Sequence, residues 1–174
     1  SSYGRVPFAE SIGVPVIYSR QEIYNWLENE LLTNIEPNLS EAKPKKSSDT
    51  GYGRVDKAAA WILLSRLYLN AEVYTGTAQW AKAAEYAKKV MDSPYQLNTD
   101  GKNGWSAYQM LFMGDNGKTD AAYEAIFPIL KDGSTTTSWG GTLFCIASTF
   151  DGNMHANPDD GVATNNTTQA WGGN

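Results

Sequence analysis

The chain has 174 residues, with 41% hydrophobic and 12% aromatic content, 6 Trp and 10 Tyr, and a formal net charge of −5. That length suits one domain with a real core, and the acidic balance argues against a nucleic-acid partner. One cysteine (Cys145) and one histidine (His155) exclude a disulfide framework, a cysteine cluster and any two-histidine metal site.

In chain order, residues 1–18 carry Gly4, Pro7, Gly13 and Pro15 among apolar residues and read as an extended lead-in. Ser19-Arg20-Gln21-Glu22 is a capping box, with Tyr18 and Ile23 as its hydrophobic staple. Ile23, Trp26, Leu27 and Leu31 follow at helical spacing, and the helix should fade before Pro37. Residues 36–52, with Pro37, Pro44 and Ser47-Ser48, read as a solvated connector.

The most informative stretch is Gly53–Pro94. It predicts two antiparallel helices, Val55–Tyr74 and Ala78–Met91, joined by Thr75-Gly76-Thr77, with Thr77 as N-cap of the second. The first is apolar almost all the way round and therefore needs cover on several sides. The second is amphipathic, with Trp80, Ala83, Ala84, Ala87 and Met91 on one stripe and Lys82, Glu85, Lys88 and Lys89 opposite. Asp92-Ser93-Pro94 stops it, because the residue before proline leaves the helical region and proline has no N–H to give. Trp105–Met113 predicts a short helix and Gly114–Gly117 a turn. Ala125–Leu130 and Leu143–Ala147 are the candidate short strands, and from Ser148 the chain is rich in Gly, Asn, Thr and Asp without periodicity. The expected fold is all-α: tetratricopeptide-like helix pairs with long loops and one or two short strands. Residues 19–93 form the scaffold and 95–174 a loop-rich region of a single partial domain. One helix pair of this kind needs neighbours to bury its faces, so the chain reads as a piece of a longer one.

The order of several segments is similar to the SusD/RagB family. They are Gly53-Arg54-Val55-Asp56-Lys57-Ala58-Ala59-Ala60, Leu64–Gly76, Trp80-Ala81-Lys82-Ala83-Ala84, Ser93-Pro94-Tyr95-Gln96-Leu97, Leu111–Asn116, Glu124–Ile129 and Ser138-Trp139-Gly140-Gly141-Thr142. The resemblance covers nearly the whole chain. It implies a glycan-binding lipoprotein on the external face of the outer membrane of Bacteroidetes, seated on a SusC-like TonB-dependent transporter. The sugar site would lie on long loops away from the helix pairs. On this reading the chain is the central part of such a protein, and the N-terminal lipid anchor is not in it.

A sugar ring offers an apolar face and a rim of hydroxyls, so its site needs an exposed aromatic platform beside hydrogen-bonding side chains. Trp139, flanked by Ser138 and Gly140-Gly141, and Trp171, flanked by Ala170 and Gly172-Gly173, fit the platform; family aromatics in this region line a curved glucan. Asp151 and Asn153, in the polar loop between them with His155, fit the hydroxyl contacts. The plainer alternative is that either tryptophan covers a core edge and that the loop is merely solvated. Trp26, Trp61, Trp80 and Trp105 read as core. Cys145, in an apolar run, reads as a small buried hydrophobe.

No cofactor is expected. Asp115, Asn116 and Asp120 put hard oxygens of the kind calcium takes into a turn, but an Asx-turn accounts for them. Hydrolysis of a glycoside needs two carboxyl groups flanking the scissile bond. Glu72, Glu124, Asp132 and Asp151 are available, yet none sits in a pattern that raises a pKa, and no phosphate loop, serine elbow or metal cluster occurs. The expectation is a protein without catalysis that binds polysaccharide, with a starch-like α-glucan favoured because the Ser-Trp-Gly-Gly and Trp-Gly-Gly loops resemble the starch-system member. A tetratricopeptide-type interaction scaffold and, behind it, an α-helical glycosidase are the alternatives.

Overall fold

The computed structural model describes residues 5–130. The chain divides after Ile129 into two units, and the described residues lie almost wholly in the first. They are all-α apart from one two-stranded ribbon. The strands β1 (Arg5–Phe8) and β2 (Val16–Ser19) pair antiparallel, with Val6 opposite Tyr18 and Phe8 opposite Val16. The lead-in is thus a ribbon rather than a bare extended segment. Its far end is fastened to the first helix: Phe8 stacks on Tyr18 at 5.1 Å and meets Trp26 edge-on at 4.6 Å, and Trp26 Nε1 donates to Glu10 at 2.6 Å.

Helix α1 (Arg20–Asn29) begins at the expected capping box. The Glu22 amide donates to Ser19 Oγ at 3.3 Å, and the Ser19 amide donates to Glu22 Oε2 at 2.7 Å. The helix then widens into a π-helical turn over Glu30–Ile35 and closes with a 3-10 turn, Glu36–Asn38, that takes Pro37 into its first positions. Proline is tolerated there because the first N–H groups of a helical turn have no internal partner to lose.

The long apolar helix is broken in two. Helix α2 (Lys57–Leu69) ends at Asn70, whose backbone leaves the helical region (φ −97, ψ 8) and whose side chain donates back to Arg66 O at 2.9 Å. A short α3 (Ala71–Thr75) follows and stops at Gly76, in the left-handed conformation (φ 77) with its N–H on Glu72 O at 2.8 Å. Helix α4 (Trp80–Met91) starts at Gln79 without a side-chain cap, so Thr77 does not serve as its N-cap. Thr75 organises this turn instead, since its hydroxyl accepts from the Thr77 amide at 3.1 Å.

Two glutamates of the first helix and its closing turn reveal the packing directions. Glu28 accepts from Tyr68 Oη at 2.9 Å and Lys82 Nζ at 3.0 Å. Glu36 accepts from Trp61 Nε1 at 2.7 Å and lies 4.0 Å from Lys89 Nζ. As the chain advances from 28 to 36, its partners recede from 68 to 61 on α2 and advance from 82 to 89 on α4. The first helix therefore runs antiparallel to α2 and parallel to α4, and the α2/α4 pair is antiparallel as expected. Tyr24, Leu31, Leu64, Tyr68, Ala71, Ala83 and Tyr86 form the core between them. Full burial of Leu64 or Tyr68 is worth about 2 kcal/mol each relative to exposure. Ser65 Oγ reaches Ala83 O at 2.9 Å, a close approach that the small alanine permits.

Downstream, α5 (Ala107–Met110) is one turn long and capped by Ser106 with Gln109, shorter than the expected Trp105–Met113. A tight turn precedes it, with Asn103 (φ 54) and Gly104 (φ 82) both left-handed and Lys102 bridging Trp105. Two 3-10 turns, Asn116–Lys118 and Asp120–Glu124, lead to Ala125–Leu130, which forms no strand. The ribbon is at the front of the chain, and the other candidate strand, Leu143–Ala147, lies outside the described residues.

Candidate functional site

The residues singled out for glycan contact, Trp139, Trp171, Asp151 and Asn153, lie outside the described residues, as do His155 and Cys145. What the structure does show is how the helical scaffold is held and which of its own surfaces remain open.

The firmest point is Asp56, with no exposed surface. It is the N-cap of α2, accepting from the Ala58 amide at 2.9 Å through one oxygen. Its other oxygen accepts from the Lys43 amide at 2.9 Å and from Tyr95 Oη at 2.8 Å. A buried carboxylate persists only when it is paired or hydrogen-bonded, and here three donors from three segments converge on it. This joins the Gly53–Lys57 segment, the connector and the Ser93–Leu97 exit in one network. The connector is accordingly pinned at Lys43 and not merely solvated. Burial first, and then the bond to Asp56, push the Tyr95 phenol well above its ordinary pKa.

Of the four tryptophans read as core, two are half-buried and tied by their indole N–H to carboxylates: Trp26 to Glu10 and Trp61 to Glu36. The other two are exposed, Trp80 at 61% and Trp105 at 51%, which corrects the core reading for both. Trp80 occupies the first position of α4, and Met91 at the other end is 80% exposed. Trp105 ends the tight turn ahead of α5 and is followed on the surface by Tyr108 and Phe112, whose rings meet edge-on at 5.1 Å. Periodicity alone could not separate these from buried positions, because stripe ends and one-turn helices carry the same pattern.

Two concavities stand out among the described residues. An apolar groove of about 500 Å³ runs between the first helix and α2–α3. A smaller polar pocket of about 330 Å³ is lined by Lys46, Asn98, Asp100, Lys102, Lys118 and Asp120 among others. In it Lys46 pairs with Asp120 at 2.9 Å, and hydrogen bonding to Asp120, then to Tyr123, raises the ammonium's pKa. Asn116 spends its side-chain amide on Leu111 O at 2.6 Å. Among the described residues, no group of three or more His, Cys, Asp or Glu is placed to hold a metal ion, and no helix is long and apolar enough to cross a membrane. Of the carboxylates considered for hydrolysis, Glu124 accepts from the Asn98 amide at 2.8 Å, Glu72 is exposed on α3, and Asp132 and Asp151 lie outside the described residues.

No family model matches the chain. It is 42% identical over 150 residues to the starch-binding protein SusD of Bacteroides thetaiotaomicron, a match that covers 84% of this chain and 25% of that protein. The chain thus spans about a quarter of the length of the curated relative. With that identity sustained across most of its residues and an all-α scaffold to match, the chain belongs to the SusD-like family.

Proposed function

We propose that this chain is part of a glycan-binding protein without catalytic activity that takes up a starch-like α-glucan at the external face of the outer membrane and passes it to a SusC-like TonB-dependent transporter. The observation that carries the reading is the 42% identity to a protein whose name states starch binding. Trp139 and Trp171 supply the stacking platforms, and Asp151 and Asn153 the hydroxyl contacts. The helix network anchored by Asp56, Glu28 and Glu36 serves as scaffold and takes no part in binding. Membrane attachment is through an N-terminal lipid anchor.

The test is a titration of intrinsic tryptophan fluorescence with maltoheptaose and a panel of other oligosaccharides, on the full-length protein. A saturable change with maltoheptaose, lost in Trp139→Ala or Trp171→Ala, is the expected result. Absence of binding across the panel refutes glycan recognition, and release of reducing sugar from starch refutes the non-catalytic assignment.

A further inference from the structure

The polar pocket beside α5 has no role in the proposed glucan site, and its charges do not cancel. Three segments meet in it: the connector at Lys46, the turn of residues 98–102, and the paired 3-10 turns at residues 118–121. Lys46 is neutralised by Asp120 at 2.9 Å. Lys102 and Lys118 have no ion-pair partner among the described residues, whereas Lys57, Lys82, Lys88 and Lys89 each have one. Asp100 is the pocket's one other carboxylate among the described residues, and it is unpaired too. Two ammoniums therefore face one carboxylate, a balance that one added negative charge completes. Acceptors are present as well. Asn98 donates its side-chain amide to Ala107 O at 2.9 Å and Asp100 O at 3.3 Å, which leaves Oδ1 free to accept. The most buried lining residues, Met110 and Ala121, are apolar. The rim is firm: Lys102 and Trp105 exchange two backbone hydrogen bonds of 3.0 Å, and Gly101 passes so close to the Trp105 carbonyl that a Cβ there would overlap it.

We propose that this pocket binds an acidic sugar, a uronic-acid residue of a saccharide. Lys102 and Lys118 hold its carboxylate, since hydrogen bonds between ionised partners are the strong ones. Asp100 and Asn98 Oδ1 accept from the ring hydroxyls, and Met110 underlies the apolar ring face. The volume of about 330 Å³ lies at the lower end of the range for pockets that hold small organic ligands. Other ligands fit the same groups less completely. A neutral hexose leaves both ammoniums unanswered. A phosphate dianion brings a second negative charge against Asp100 and Asp120, and a bare carboxylate leaves the acceptors and the apolar floor unused. The site is separate from Trp139 and Trp171 and stands or falls without them.

The experiment is isothermal titration calorimetry on the full-length protein at low ionic strength, where charge recognition is least screened. The probes are trigalacturonate, its neutral counterpart galactotriose, acetate and inorganic phosphate. Trigalacturonate should bind, and Lys102→Gln with Lys118→Gln should weaken it at least about tenfold. Lys88→Gln with Lys89→Gln removes the same charge from α4 and should leave the affinity within about twofold. Both pairs change surface side chains only, and circular dichroism confirms that each variant is folded. No binding of trigalacturonate by the wild-type protein overturns the proposal. So does equal weakening in the α4 pair, which would make the attraction a general one. Galactotriose bound as tightly overturns the acidic selectivity, and acetate or phosphate bound as tightly reduces the pocket to a simple anion site. The maltoheptaose midpoint should not move in Lys102→Gln with Lys118→Gln; a midpoint that moves overturns the separation of the two sites. Failure of the acidic-sugar site leaves the glucan reading untouched, and failure of that reading leaves this site to its own titration.

Discussion

Asp56 offers the sharpest test of how this scaffold holds together. Its carboxylate receives three hydrogen bonds, from Ala58, Lys43 and Tyr95, with no surface exposed. A hydrogen bond to a charged group contributes about 1.5–3 kcal/mol. Removing the acceptor leaves the partly buried Lys43 amide without its partner and the Tyr95 hydroxyl with only its longer bond to Lys43 O at 3.3 Å, while loss of the cap itself costs about 1 kcal/mol. Because the three bonds share one group they do not add, and Asp56→Ala should cost about 4 kcal/mol, a large share of a typical domain's 5–15 kcal/mol. Asp56→Asn keeps the bond from Ala58 but turns an amide N–H₂ toward two donors, so it should recover only about 1 kcal/mol of that loss. Tyr95→Phe should cost about 2 kcal/mol by itself. In the Asp56→Ala background it should cost little, which gives a coupling of about 1–2 kcal/mol. Urea unfolding followed by circular dichroism, in all four combinations and with equal m-values, measures the cycle. A loss below about 1 kcal/mol for Asp56→Ala, within the range of an ordinary surface change, or a coupling near zero, would refute the reasoning.

Other expectations follow from single residues. Gly76→Ala should destabilise by about 1 kcal/mol in thermal unfolding, because the residue sits at φ 77, where a Cβ is strained although nothing lies within 4 Å of it. Tyr24→Phe should be neutral or slightly stabilising, since the hydroxyl it deletes has no partner; a loss above about 1 kcal/mol would show that the groove supplies one. Alkaline pH should destabilise the fold. Burial, and secondarily Glu28, push Tyr24 up to about 12, and Tyr68 and Tyr95 are raised further by burial and their carboxylate partners. Between pH 10 and 12 the unfolded chain sheds phenolic protons that the folded chain keeps, so stability is full below pH 10 and falls above it. Chemical unfolding at stepped pH should show that decline, and Tyr95→Phe should flatten it.

The sequence carried the scaffold well where local chemistry has a fixed form. Ser19 and Glu22 announced their cap by spacing alone, and the aliphatic run of α2 with the alanines of α4 announced an antiparallel pair. It carried less where the deciding partner is remote. Nothing near Asn70 says that the helix must break there, and Thr77 looked as good a cap as Thr75 proved useful. Glu28 and Glu36 carry no local sign of a partner, yet each closes a bond to an aromatic residue, Tyr68 and Trp61, forty and twenty-five positions away. The ribbon at the front went unread, and Ala125–Leu130 was read as a strand, for the same reason. A ribbon of four-residue strands is stabilised by its contact with Trp26 and not by its own alternation. For the candidate site the sequence offers only a chemical type, an aromatic platform with polar neighbours, since any geometry joining Trp139 to Trp171 is a tertiary property.

The four described tryptophans divide by what holds them, and this division shapes the glycan test. Trp26 and Trp61 have their indole N–H groups committed to Glu10 and Glu36, so both are fixed reporters of the scaffold and poor platforms for a sugar. Trp80 and Trp105 expose half or more of their surface, which the sequence pattern did not foresee, and each offers a ring face that a sugar could cover. A fluorescence change on adding maltoheptaose therefore has four candidate sources within these residues, not two. Single substitutions separate them. If Trp139 and Trp171 are the platforms, Trp80→Phe and Trp105→Phe lower the starting emission but leave the midpoint of the titration where it was. A midpoint that moves about tenfold or more in Trp105→Phe, and stays fixed in Trp139→Ala, transfers the site to the aromatic run of Trp105, Tyr108 and Phe112 at the start of the loop-rich region.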